Sequence, residues 1–122
     1  MTIVTEQPHS AEYLLWEADR HVARDRVTLT GGQLLYPGTV LGKITASGKV
    51  TQLDPDASDG SEDACGVLYH RVNARSSDQA TFMTCRQCEV AGLALIWPDG
   101  ISDNQKAAAI AQLTTLGVVV RQ

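Results

Sequence analysis

Apolar and polar positions alternate most clearly in the middle of the chain, where they predict a β-hairpin. Tyr36, Pro37 and Gly38 form a turn signal, because proline fixes φ and glycine accepts the positive φ that follows. The next residues are β-branched or aliphatic, and Gly42 interrupts them where a bulge or a close backbone contact would lie. A polar turn at residues 46–49 leads into a second alternating run. We therefore expect residues 39–53 to form the hairpin.

Further short apolar runs, separated by turn residues, indicate a compact, mainly β body. Residues 26–30 alternate and end at two glycines, and residues 65–69 and 80–90 are predicted to be further strands. Residues 93–97 form a fourth apolar run. The segment 54–63 combines five acidic residues with proline, glycine and serine, so it is predicted to be a surface loop.

One helix is predicted near the C-terminal end, at residues 103–116. Ser102 is placed to act as the N-cap and Gln105 to complete a capping box, while Gly117 supplies the positive φ that ends the helix. Residues 118–120 should then return to the sheet as a strand. The predicted apolar face of the helix consists of Ala107, Ile110, Ala111, Leu113 and Leu116.

The first residues differ in character from the rest of the chain. Residues 1–12 are polar and follow neither the helical nor the strand period, so we expect an arm without fixed structure in isolation. The apolar run 13–16 needs cover from its own fold, from a sister subunit or from another protein. We accordingly divide the chain into an N-terminal arm, 1–16, and a β-rich domain, 17–122, that begins with a short helix or charged loop at 17–25.

Composition narrows the possible partners. The 122 residues fit one domain, and the net charge of −4 with scattered basic residues argues against nucleic acid. No apolar run approaches the roughly 18 residues of a membrane span, and the first 20 residues lack the features of a signal peptide. We expect a soluble chain that is synthesised inside the cell. Three cysteines are an odd number and favour free thiols.

The motif Cys85-Arg86-Gln87-Cys88 raises the alternative of a small metal-binding or thiol-redox protein. A zinc site would need a second ligand pair, and a redox site a following helix; the sequence offers neither, so free thiols are the preferred interpretation. The acidic loop resembles an EF-hand loop only at its first positions, because position six is Asp59 instead of glycine. No catalytic or phosphate-binding motif is present, and we expect no catalytic residue, no metal and no cofactor.

Several short motifs occur in an order that resembles the lambda-type bacteriophage head decoration proteins. The resemblance covers about residues 16–121. The motifs are V-T-L-x-x-G-Q from Val27, P-G-T-V-L-G-K-I from Pro37, L-D-P-D-A-S-D-G-S from Leu53, A-x-G-V-L from Ala64, W-P-x-G-I from Trp97, Q-K-A-A from Gln105 and L-G-V-V-V-R from Leu116.

This resemblance implies a β-clip-like domain with a mobile N-terminal arm and no enzymatic activity. It implies a homotrimer that binds the major capsid protein at three-fold or quasi-three-fold positions on the exterior of the expanded icosahedral head, and stabilises the head against the pressure of packaged DNA. The protein would be made in the host cytoplasm and end in the virion. The expected capsid-binding arm residues are Thr2, Ile3, Val4, Thr5, Glu6, Gln7, Tyr13, Leu14, Leu15 and Trp16.

Overall fold

A computed structural model describes residues 11–121, and it confirms a mainly β fold with one long C-terminal helix. A single helical turn near the start is the other α-helical element in this part of the chain. In chain order the elements are β1 (Leu14–Glu17), α1 (Arg20–Ala23), β2 (Arg24–Leu29), β3 (Leu34–Leu35), β4 (Val40–Lys43), β5 (Val50–Gln52), β6 (Ala64–Leu68), β7 (Val72–Asn73), β8 (Gln79–Thr84), β9 (Cys88–Ala91), α2 (Asp103–Leu116) and β10 (Val118–Arg121).

Five strands close into a barrel in the order β2-β5-β4-β6-β8. The longest pairing is the antiparallel ladder between β2 and β8, which runs from Arg24 opposite Thr84 to Leu29 opposite Gln79. Closure on the other side depends on one parallel contact, Leu29 opposite Val50. Because the sheet is closed, each of these five strands has a pairing partner on both sides. The short strands β3 and β7 form a separate pair.

The predicted hairpin is confirmed, and Gly42 has the role expected of it. β4 and β5 are antiparallel, with Leu41 opposite Gln52 and Lys43 opposite Val50. The pairing of β4 with β6 shifts register between Leu41 and Gly42, as a bulge does. The acidic loop folds back over this point, and a methyl group on Gly42 would overlap its Ser61 carbonyl. Ser61 is thereby buried in an otherwise exposed loop.

The second sheet has the order β1-β9-β10, and α2 packs between it and the barrel. The prediction for α2 is confirmed at both ends. The Ser102 hydroxyl accepts from the Gln105 backbone N–H (3.1 Å), and the Gln105 side chain accepts from the Ser102 N–H (3.0 Å). Gly117 ends the helix at φ 99°. β10 then pairs parallel with β9, so the predicted return to the sheet is also confirmed.

Two hydrophobic clusters form the core, one on each side of the barrel wall. Alternate residues of β4 and β6 contribute to different clusters, because successive side chains of a strand point to opposite faces. Val40 and Val67 face outward to α2 and the second sheet, whereas Leu41 and Leu68 face the barrel interior. The barrel wall is therefore buried on both sides where α2 covers it.

Three details of the sequence prediction were wrong. Residues 80–90 are two strands in different sheets, β8 and β9, because the chain turns at Gln87, which has a φ of 47°. Residues 93–97 form no strand; a 3-10 helix covers Gly92–Ala94, and Leu93 is 94% exposed. The buried face of α2 contains Leu113 as expected but also Ala109, while Ala107, Ala111 and Leu116 are exposed.

We predict that Gly42→Ala lowers the free energy of unfolding by about 2 to 3 kcal/mol, because the added methyl group meets a backbone oxygen that is tied to the loop. Gly48→Ala is the matched control. Gly48, unlike Gly42, has a positive φ, 74°, but the atom nearest to its added methyl group is the Lys43 Cε at 4.0 Å, so its cost should be only about 1 kcal/mol of backbone strain. Urea unfolding of both variants measures the difference, and equal costs would contradict the steric explanation.

Candidate interaction surface

The N-terminal end of the described chain enters the second sheet at its edge. β1 pairs antiparallel with β9, and its other side forms no ladder with any strand of residues 11–121. The N–H of Ala91 in β9 donates to the Tyr13 carbonyl (2.8 Å), so the chain is in register before β1 begins. Because residues 1–10 lead into this sheet, we call β1, β9 and β10 the arm-root sheet. Its open edge could accept a further strand.

The outward face of the arm-root sheet combines two apolar side chains with an ion pair. Trp16 of β1 and Val119 of β10 both lie opposite Glu89 of β9, one on each side of it. Trp16 is 55% exposed and Val119 is 37% exposed. Arg121 of β10 forms an ion pair with Glu89, since its Nε donates to the Glu89 carboxylate (2.7 Å). This face is thus apolar at its sides and polar along its centre.

A bulge in β1 adds Leu15 to the exposed surface. Leu14 lies opposite Val90 and Trp16 lies opposite Glu89, so two residues of β1 advance while β9 advances by one. Leu15 is the extra residue, and it is 57% exposed. A bulge changes the direction of the strand and re-aims its side chains. Two large apolar residues that follow each other directly are therefore both available to a partner.

Tyr13, by contrast, is buried and joins the arm-root sheet to the barrel. Its hydroxyl lies 2.6 Å from Thr84 Oγ1 in β8, and it also donates over 3.4 Å to the Val67 carbonyl in β6. Burial raises the pKa of the Tyr13 hydroxyl well above its usual range. The ring contributes to the outer hydrophobic cluster with α2. Tyr13 is therefore unavailable to a partner in this structure.

An ion pair holds the other end of β1 against the barrel. Arg24 Nε donates to Glu17 Oε2 (3.1 Å), and a second nitrogen of the same guanidinium bonds Glu17 Oε1, which makes the pair bidentate. The Arg24 guanidinium carbon also lies 3.7 Å from the centre of the Tyr69 ring. Since Tyr69 follows β6, this chain of contacts fixes β1 to two barrel strands.

The structure separates the predicted arm residues into different environments. Leu15 and Trp16 are exposed, Leu14 is half-buried against the core, and Tyr13 belongs to the core. Within the apolar run 13–16, the fold itself thus covers Tyr13 and part of Leu14, whereas it leaves Leu15 and Trp16 exposed. Outside the described residues lie Thr2, Ile3, Val4, Thr5, Glu6 and Gln7.

Sequence reasoning missed two apolar members of this surface. Val119 was predicted only as part of a returning strand, although the exposed position follows from alternation once Val118 is known to be buried. Leu93 lies just beyond β9, and nothing in the apolar run 93–97 distinguishes it from the buried Leu95. Alternation along the strand was a usable signal for Val119, whereas the exposure of Leu93 could be seen only in the folded structure.

The three cysteines are free thiols in two environments. Cys88 packs in the outer cluster, whereas Cys85 packs in the barrel interior beside the half-buried Cys65. Burial raises the pKa of Cys85 to about 11 and the pKa values of Cys65 and Cys88 to about 12. Thiols with such pKa values are protonated at neutral pH and react poorly. The motif C-x-x-C thus directs its two sulfurs into different parts of the core.

Residues 11–121 contain no group of three or more His, Cys, Asp or Glu side chains placed to hold a metal ion, which gives the metal-binding alternative no support. None of the helices in that range has the length and apolar character that crossing a membrane requires.

The fold and its surface define a small β-barrel protein whose exposed features are suited to contact with other macromolecules. A family model described as bacteriophage lambda head decoration protein D matches residues 3–118. The chain belongs to this family and is a phage head decoration protein. No individually curated protein matches the sequence. Its place is accordingly the phage capsid, as the resemblance implied.

Tyr13→Phe should lower the free energy of unfolding by about 1 to 2 kcal/mol, because it leaves the buried Thr84 hydroxyl without its short hydrogen bond. Tyr36→Phe is the matched control, since the Tyr36 hydroxyl forms no hydrogen bond within residues 11–121. Chemical denaturation of both variants measures the loss. An unchanged stability for Tyr13→Phe would show that residue 13 does not join the sheet to the barrel.

Stability should fall as the pH rises from about 9 towards 11. The unfolded thiols ionise near pH 9.0, whereas the folded thiols of Cys65, Cys85 and Cys88 stay protonated until about 11 to 12. Above pH 9 the unfolded state therefore loses protons that the folded state retains, and this favours unfolding. Denaturation curves across this pH range test the slope, which should become shallower in Cys65→Ala. A stability that stays constant over the range would contradict the buried thiols.

Proposed function

We propose that this decoration protein binds the exterior of the expanded head as a homotrimer at three-fold or quasi-three-fold positions, and that it stabilises the head against the pressure of packaged DNA. Family membership supports the assignment to the head. The finer statements rest on the resemblance of the sequence and on the arm-root sheet. In this proposal the protein has no catalytic role, is made in the host cytoplasm and ends in the virion.

The observation that carries the proposed contact is the surface of the arm-root sheet. Leu15, Trp16 and Val119 are exposed on a sheet whose β1 edge is open, and Leu93 protrudes just beyond β9. These four are among seven large apolar residues that are exposed in the described chain, so more than half lie in this sheet or just after one of its strands. Apolar residues gathered in this way mark an interaction site more strongly than scattered ones do.

The arm is proposed to extend this contact over the coat protein. Residues 1–10 precede β1 by the turn at residues 11–13, so an arm that adds a strand to the coat protein would do so close to the arm-root sheet. The expected contacts are made by the arm residues between Thr2 and Gln7 together with Leu14, Leu15 and Trp16. The proposed boundary between arm and domain stays at residues 16 and 17, although β1 is already paired with β9.

Trimeric binding would make weak arms effective. Three copies of one arm address three equivalent sites, and linkage of this kind can raise the apparent affinity about 10² to 10⁴-fold over a single contact. A trimer that binds only the expanded head stabilises that state by about 2.7 kcal/mol per site at a hundredfold excess over the dissociation constant. Stabilisation by binding needs no chemistry, which agrees with the absence of a catalytic motif.

Co-sedimentation with heads of the host phage tests the proposal. The purified protein should bind expanded heads saturably and leave unexpanded heads unbound, because only the expanded lattice would present the complete site. Leu15→Ser should weaken this binding about tenfold or more, since it removes an apolar contact of roughly 1.5 to 3 kcal/mol. Leu116→Ser is the matched control, because Leu116 is a similarly exposed leucine at the end of α2.

Three results would count against it. Failure to bind either form of the head would refute the decoration role for this chain. Equal binding to both forms would refute the preference for the expanded head. Equal losses in Leu15→Ser and Leu116→Ser would show that the arm-root sheet is not the contact surface.

A further inference from the structure

A cleft on the outside of the barrel is strongly basic although the protein as a whole is acidic. Two adjoining depressions of about 570 and 440 Å³ share His70 and Phe82 in their walls. Among the described residues, their remaining ionisable lining is His21, Arg24, Arg26 and Arg71, and no Asp or Glu of residues 11–121 lines either one. We call this surface the cationic cleft.

The charges of the cleft are only partly neutralised by the molecule itself. Arg24 is paired with Glu17, but Arg26 and Arg71 form no ion pair within residues 11–121. Arg26 and Arg71 are both exposed, and Phe82, which lies opposite Arg26 in the ladder between β2 and β8, is 43% exposed. An exposed aromatic ring flanked by arginines is a combination that is enriched at protein–protein contacts. The arginines and the exposed ring of the cleft favour, as a binding partner, an acidic protein segment that also carries small apolar residues.

The chain itself carries such a segment on another side of the barrel. Residues 54–63 contain five acidic side chains and no Lys or Arg, with Pro55 and Ala57 half-buried among them. We call them the acidic loop. The loop packs on β4, since Thr45 after that strand donates to the Asp59 carbonyl (2.8 Å).

Strand order separates the cleft from the loop. The cationic cleft lies over β2 and β8, and β4 is adjacent to neither strand in the barrel order β2-β5-β4-β6-β8. In this structure the loop is held on β4 and lines neither depression, so one molecule does not place its own acidic loop in its own cleft. A second copy can do so, because the two surfaces are opposite in charge and both exposed.

We propose that copies of this chain associate head to tail, with the acidic loop of one copy against the cationic cleft of the next. A contact between two different surfaces is heterologous, and three such contacts close a ring. The inference rests on the homotrimer of the proposed function and names the surfaces that form it. Charge complementarity sets the orientation, and Phe82 against Pro55 and Ala57 supplies apolar area. The arm-root sheet stays free for the head.

Charge reversal on each side of the contact tests this assignment. Arg71→Glu changes the cleft, and Asp56→Lys changes the loop at an acid whose side chain accepts no hydrogen bond within residues 11–121. Each variant should raise the dissociation constant of the trimer at least about tenfold, because like charges then face each other. The double variant should recover most of the loss. Sedimentation equilibrium at low salt measures the constants, and added salt should weaken the wild-type trimer.

Matched controls carry the same charge changes elsewhere on the surface. Arg75→Glu alters an exposed arginine that lines neither depression, and Asp99→Lys alters an exposed acid in the turn before α2. Both should keep the wild-type dissociation constant. Circular dichroism of every variant confirms that the barrel is folded before association is compared.

The outcomes separate this inference from the proposed function. Unchanged trimers in both reversal variants, or equal losses in the controls, would overturn the head-to-tail contact while leaving head binding intact. Reversal variants that stay trimeric but no longer bind expanded heads would assign the cleft to the coat protein and also overturn it. A wild-type chain that is monomeric at every concentration would overturn both the contact and the proposed homotrimer. Loss of association in both variants with recovery in the double variant would establish the contact.

Discussion

The burial of Tyr13 is the constraint on which the arrangement of this molecule depends. Its ring lies in the cluster between the barrel and α2, its hydroxyl bonds β8 and β6, and its carbonyl accepts from β9. One residue thus connects both sheets. Because the cost of leaving a buried hydroxyl unpaired is high, the ring has one favourable position. That position fixes where the chain enters the arm-root sheet.

A rigid platform follows from this constraint. The outer cluster joins the arm-root sheet to α2 and the barrel wall, and the bidentate pair between Glu17 and Arg24 holds the far end of β1. A contact surface that is already ordered loses little conformational entropy when a partner binds. An ordered surface would favour the proposed role, in which the protein stabilises the head through the free energy of its contacts.

Local signals in the sequence predicted the elements whose geometry is local. The capping residues Ser102 and Gln105 and the terminal Gly117 located α2 at both ends, and Gly42 marked a bulge under a backbone contact. Features that depend on distant partners were not accessible. Ala109 is buried because the barrel and β10 cover that side of α2, and a non-glycine residue with positive φ at Gln87 divides one apolar run into two sheets. The parallel pairing of β10 with β9 and the closure of β2 on β8 likewise have no local signature.

The bulge at Leu15 reverses which alternate side chains of β1 face the core. Leu14 and Trp16 are two residues apart, so a regular strand would turn both to the same face, yet one packs in the core and the other is exposed. The number of residues in the bulge, more than their hydrophobicity, decides which of these side chains is buried and which is exposed. In relatives of this chain, an insertion or deletion before the turn that precedes Tyr13 would therefore leave the core undisturbed, whereas one within the bulge would exchange buried and exposed side chains.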